Sequence, residues 1–367
     1  MSGAIDEPVA LSGRAGRLEG DRTARARTVI VLLVAALGVT ILFSLASGAS
    51  DASALAAVGG WIFGASGDAV LSARDTIIVQ DIRMPRVALG CLIGAALAVS
   101  GAVMQGLFRN PLADPGLVGV SGGAALGAVS MIVLGTTAFA PATALLGIYA
   151  LPCAAFLGGL AVTLLLYRVS TRRGQTSVAT MLLAGIALAA LAGALTGVLV
   201  FMADDRQLRD LTFWNLGSLA GATWVKVMAV GPVIAAALAT APFLARGLNA
   251  LALGEATANH LGIPVQRFKH VAIVSVAAAT GVSVAVSGGI GFVGIVVPHL
   301  LRLIIGPDNR YLLPASALLG GTLLILADSV SRTVVAPTEL PIGIVTAVAG
   351  APFFLWILLR KRGVVDL

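Results

Sequence analysis

Long apolar stretches separated by short polar breaks run through the chain from residue 28 to residue 359. Crossing the hydrocarbon core of a bilayer takes roughly 20 helical residues at about 1.5 Å each. Eight regions with little or no charge come near or exceed that length: 28–50, 87–108, 115–167, 174–203, 227–245, 270–301, 311–327 and 340–359. The third has room for two crossings, with a break near Gly135 to Pro141, and the sixth for two more, with a break at Ser287, Gly288 and Gly289. The pattern predicts an all-α membrane protein, a polytopic bundle of about ten transmembrane helices over residues 28–362, preceded by a polar tail over residues 1–27. Glycines four apart, as in Gly90 and Gly94, Gly123 and Gly127, or Gly193 and Gly197, would let helix backbones approach closely.

Composition agrees with lipid as the solvent: 58% of the 367 residues are hydrophobic and 11% charged, with a mean hydropathy of +0.99. That leaves too few polar residues to cover a soluble domain of this size. The run at 28–50 follows Arg22, Arg25 and Arg27 as a secretory signal would, but it is longer than a typical signal core and nine further spans follow. With ten crossings both termini share one side. An inside N-terminus puts the majority of the 24 Lys and Arg in inner segments, so both termini are expected to be cytoplasmic. The formal net charge of +7 is dispersed between apolar runs, without the basic stripe and interleaved aromatics that nucleic acid would require. Cys91 and Cys153 fall in separate apolar runs and read as small hydrophobes.

No source of chemical energy is visible in the chain. A phosphate-cradling loop needs Gly before its Lys, whereas Lys226, Lys269 and Lys361 follow Val, Phe and Arg. Carriers and membrane enzymes place ionisable groups within their spans. Here only His299 and Asp328 qualify, both near span ends, and Asp328 can pair with Arg332 one turn later. No metal-ligand or nucleophile-base constellation is present, so neither a metal site nor a cofactor is expected and the chain is not read as an enzyme. An ion-coupled secondary carrier is the competing reading, and the nearly charge-free spans argue against it.

Several long motifs, in order, resemble those of the iron-chelate and cobalamin uptake permeases of ABC importers. They are Arg83-Met-Pro-Arg86, the run from Ser100 to Ser121 that includes Arg109-Asn-Pro-Leu-Ala-Asp-Pro115, Leu251 to Pro264, Gly291 to Arg302, Leu326 to Arg332, Glu339 to Gly343, and Gly350 to Phe353. The resemblance implies a permease in the inner (cytoplasmic) membrane that passes an iron-siderophore or a similar chelate such as heme or cobalamin. It implies as partners a second permease subunit, two cytoplasmic ATP-binding subunits and an external substrate-binding protein. Arg83, Arg86 and Arg332 would receive carboxylates of the binding protein, a task suited to the bidentate guanidinium; lipid anchoring, or for Arg332 the local pair with Asp328, is the plainer alternative. Residues 246–269 would form the coupling loop to the ATPase. Within it Gly254, Glu255, His260 and Gly262 mark a short helix whose charges suit its dipole and whose end is set by Gly262 and Pro264. Asn110 and Leu112 would close the pathway at its cytoplasmic mouth, although an ordinary Asx-Pro turn reads equally simply there. Val178 and Ala179 align with a second constriction, where some relatives carry hydroxyl residues.

Overall fold

The computed structural model describes residues 22–47, 76–172 and 175–360. Most of the expected tail, residues 1–21, lies outside that range, as do residues 361–362 at the end of the expected bundle. Fourteen α-helices are described: α1 Thr23–Ala46, α2 Met84–Phe108, α3 Val120–Leu134, α4 Ala140–Leu146, α5 Ala150–Ser170, α6 Val178–Met202, α7 Asp205–Leu216, α8 Trp224–Ala239, α9 Ala241–Ala252, α10 Glu255–His260, α11 Val265–Ser287, α12 Val293–Ile305, α13 Asn309–Thr333 and α14 Ile342–Arg360. A π-helical turn, Ile78–Arg83, leads directly into α2. The described β-structure is a two-residue ribbon in which Thr171 pairs with Thr176 between α5 and α6.

The protein is thus helical and apolar. Among the described residues six helical stretches are long enough to cross a membrane, one of them running through α4 and α5; a seventh span results if the bent pair α8 and α9 counts as one, and α3, α12 and most of α14 are shorter apolar helices. Every apolar region of the sequence coincides with one or more of these helices, the third with three, α3, α4 and α5. Helix α1 begins at Thr23, inside the stretch expected to be tail. The region 227–245 is not one straight rod: α8 and α9 meet at 43°. The cause lies at the junction, where Pro242 has no N–H for the carbonyl four residues back and the Thr240 hydroxyl donates to the Ala237 carbonyl at 2.6 Å.

Helix α2 is the axis of the subunit, packed against α11, α12 and α13. Its glycines explain how. A Cβ on Gly94 would collide with the Gly320 carbonyl of α13, and one on Gly123 of α3 with the Gly158 carbonyl of α5, so backbones touch where any larger residue would hold them apart. Gly193 and Gly197 of α6 have open space instead. Helices α1, α5 and α6 form the perimeter, where Val31, Leu157, Leu183 and Phe201 stand exposed as a lipid-facing surface requires. The core is apolar at both ends of α2, with Leu89, Ile93, Val297 and Leu324 at one and Leu107, Leu248, Phe268 and Ile273 at the other.

Candidate functional site

At the N-terminal end of α2 the three candidate arginines converge. Arg86 donates through Nε to both carboxylate oxygens of Asp328 on α13, at 2.8 and 3.0 Å, and through Nη1 to Glu339 at 2.9 Å. Glu339 reaches this point because the chain folds back after α13: the Leu340 N–H donates to the Ser331 carbonyl at 2.9 Å. Arg332 donates to the Ser44 carbonyl and hydroxyl, both at 2.6 Å, and Arg83 to the Leu45 carbonyl at 2.7 Å. The last carbonyls of a helix have no partner within it. Two guanidinium groups therefore cap the C-terminus of α1, where the helix dipole also favours positive charge.

The three arginines expected to receive carboxylates of the binding protein are buried in the single subunit. Arg83 is 3% exposed, Arg86 6% and Arg332 6%. A guanidinium surrounded by helices cannot be left unpaired at tolerable cost, so each is turned inward to a carboxylate or a carbonyl. The local pairing of Asp328 with Arg332 is present but long, at 3.5 Å; the close partner is Arg86.

At the other end of α2 lies the expected coupling stretch. Residues 246–269 are not an open loop but the end of α9, the six-residue α10 and the first turn of α11. Gly254 enters α10 at φ 115° and Gly262 leaves it at φ 80°. The stop is a Schellman arrangement: Gly262 N–H donates to Asn259 and Ile263 N–H to Ala258, each at 3.0 Å. Ala258 is buried and His260 exposed, while Leu253 and Leu261 on either side of α10 are 68% and 60% exposed. The knob thus presents apolar side chains outward from a stiff base.

That base is tied down on both sides. Asn249 of α9 donates to Asp308 at 2.8 Å and accepts from the Asn309 N–H at 2.9 Å, pinning α9 to the start of α13. Partial burial pulls the Asp308 carboxyl upward, but hydrogen bonds from Arg310 and Asn249 outweigh it and hold the group below its ordinary value. Glu255 forms a 2.8 Å ion pair with Lys269 of α11.

The constriction residues are not gathered in one place. Val178 and Ala179, in the first turn of α6, line an open cleft of about 760 Å³ together with Glu255, Gln266 and Lys269. Asn110 and Leu112 are not part of that lining. Asn110 accepts the Leu112 N–H at 2.9 Å, an Asx turn, and Leu112 is 38% exposed in the single subunit. A second cavity, of about 310 Å³, takes Asp114, Ser121, Asn215 and Thr280 into its lining. Sequence reasoning passed over Asp114, whose Oδ1 accepts the Gly116 N–H at 2.7 Å; its position between two prolines made it read as loop. Among the described residues no group of three or more His, Cys, Asp or Glu is placed to hold a metal ion.

Residues 30–360 match the FecCD transport family. The chain belongs to that family. Among its FecCD relatives, the hemin transport system permease protein HmuU of Yersinia pestis is 47% identical over 282 residues, covering 77% of this chain and 83% of the relative. The cobalamin import system permease protein BtuC of Halobacterium salinarum is 46% identical over 288 residues, 78% of this chain and 74% of that one. A solved metal-chelate type ABC transporter in an inward-facing conformation superposes with a TM-score of 0.78 at 29% identity, covering 91% of this chain and 99% of its own. This FecCD protein is therefore a multi-pass membrane permease of the ABC importer class, with transport rather than catalysis as its role.

Proposed function

We propose that two such permease subunits, identical or homologous, enclose a pathway for an iron-porphyrin, iron-siderophore or cobalamin in the cytoplasmic membrane. An external binding protein would deliver the chelate and two cytoplasmic ATPases would drive its passage. The knob α10 carries the reading: a short helix with strict stops at both ends and exposed Leu253 and Leu261 is built to be gripped by another protein. The relatives that handle hemin and cobalamin support the cargo class, since both are large planar metal complexes.

In this reading ten crossings place both termini, and α10 with them, in the cytoplasm. The arginine network then lies at the outer face. It gathers the guanidinium groups of Arg83, Arg86 and Arg332 in one place, and acidic residues of the binding protein would be received there. ATP binding closes the ATPases, α10 moves with them, and the turn at Asn110 and Leu112 and the first turn of α6 open or shut the cytoplasmic mouth. Hydrolysis resets the cycle.

The test is reconstitution in proteoliposomes with the cognate ATPase and binding protein, offering hemin, cobalamin and a ferric siderophore in turn. Accumulation of one of them that needs ATP and all three components is expected, and the permease alone should not hydrolyse ATP. Accumulation by the permease alone, driven by an ion gradient and surviving ATP depletion, would establish the ion-coupled carrier instead.

A further inference from the structure

Thr176, on the ribbon before α6, is 4% exposed and has both of its backbone polar groups held from α11. Its N–H donates to Gln266 Oε1 at 2.8 Å, and its carbonyl accepts from Lys269 Nζ at 2.9 Å. Gln266 and Lys269 are three residues apart on a helix and so project from the same face. The same ammonium reaches Glu255, the first residue of α10, at 2.8 Å. One lysine therefore joins the knob to the residue two places before Val178. Ser177, between them, caps α6 by accepting the Thr180 N–H, so the ribbon and the start of α6 form a continuous piece.

We propose that Lys269 is a mechanical link that carries displacement of α10 to the first turn of α6, making that end of α6 follow the knob. The inference rests on the reading of α10 as the coupling element and of α6 as gate-bearing. Its physical basis is the state of the ammonium. Lys269 is 2% exposed, and a buried charge deprived of its carboxylate loses far more than a solvated one. When α10 shifts, the cheapest course is for Glu255, Lys269 and Thr176 to shift together. The open cleft beside them, bounded by Val178 and Ala179, gives room for that movement. A staple that only stabilised the fold would need neither the contact to α10 nor the cleft.

The experiment uses the complete transporter in proteoliposomes, with Cys91 and Cys153 replaced by Ser and spin labels placed at Asn259 on α10 and Leu183 on α6. In the parent protein the distance between the labels should stay constant between ATP-bound and ADP-bound states while both move relative to a third label on α13. In Lys269→Met the label distance should change with nucleotide. Substrate carried per ATP hydrolysed should fall roughly 2- to 30-fold, the range that coupling changes of this kind produce, while hydrolysis by the partner continues. Should Lys269→Met fail to assemble, Glu255→Gln, which alters a half-exposed group, is read by the same two measurements and should show the same change in smaller degree. A variant that assembles, keeps the parent transport-to-ATP ratio and holds the label distance constant overturns the link. So does a parent protein in which α10 moves and α6 stays behind. If α10 itself does not move with nucleotide, the coupling reading fails first, and the third label distinguishes that case.

Discussion

Arg86 and Lys269 are both cations buried in a helical bundle, one near each end of α2, and they are satisfied in opposite ways. Arg86 meets Asp328, whose side chain is only 3% exposed, and both sit on long helices packed along each other. Lys269 meets Glu255, whose side chain is 46% exposed and which belongs to a helix of six residues. The Arg86–Asp328 pair is closed, since both residues are held by helices that are themselves held, and only Glu339, the second partner of Arg86, reaches solvent at 38% exposure. The Lys269–Glu255 pair has one open side. A closed charge network fixes geometry, whereas one with a wet, lightly anchored member can follow a partner. On the proposed coupling role of α10, the contrast separates a part of the permease that keeps its shape from a part that transmits a push.

The sharpest way to break this contrast is Asp328→Ala. It strips Arg86 and Arg332 of their shared carboxylate and should cost on the order of 3–5 kcal/mol, read as a large drop in the thermal unfolding midpoint of the detergent-purified protein. A midpoint within a degree or two of the parent would show that the network is not closed. A smaller effect is expected of Gly262→Val. Its φ of 80° penalises any L side chain by about 1–2 kcal/mol, and no atom lies within 4 Å of the added Cβ, so strain alone acts. The knob should be misdirected, with stimulated hydrolysis and transport both reduced while the bundle melts nearly as before. Wild-type values for both would remove the coupling role from this segment. The least effect on stability is expected of Glu255→Gln, under about 1 kcal/mol because its carboxylate is half in solvent. If it destabilised the protein as much as Asp328→Ala, the two cations would be equivalent and the contrast would fail.

Helix positions were legible because a run of apolar residues is a local property, and helix formation within lipid leaves the backbone no other way to satisfy itself. The capping signals around α10 were legible for the same reason: Gly254, Glu255 and Gly262 act within a few residues of one another. Pairings across the bundle were not. Arg86 and Asp328 are 242 residues apart, so the i,i+4 rule nominated Arg332, which turns out to spend its best hydrogen bonds on Ser44. Lys269 stood out in the sequence only as the last residue of the expected coupling stretch, and only the packing of Thr176 against α11 shows it to be buried. The bend between α8 and α9 had a local signal in Pro242 that the apolar run concealed, and α7, too polar to cross a bilayer, left no trace in a search for spans.

The capping of α1 bears on how the chain is made. Arg332 closes on Ser44 across 288 residues, and synthesis proceeds at roughly 5–20 residues per second. The first helix to leave the ribosome therefore waits for roughly 15 to 60 s of further translation, as that rate implies, before the second of the two guanidinium groups that cap its last turn exists. Until then α1 is inserted but only partly capped. The full closure of its last turn is a late event in biogenesis, and a chain released before residue 332 would hold the end of its first helix by Arg83 alone of the two capping guanidinium groups.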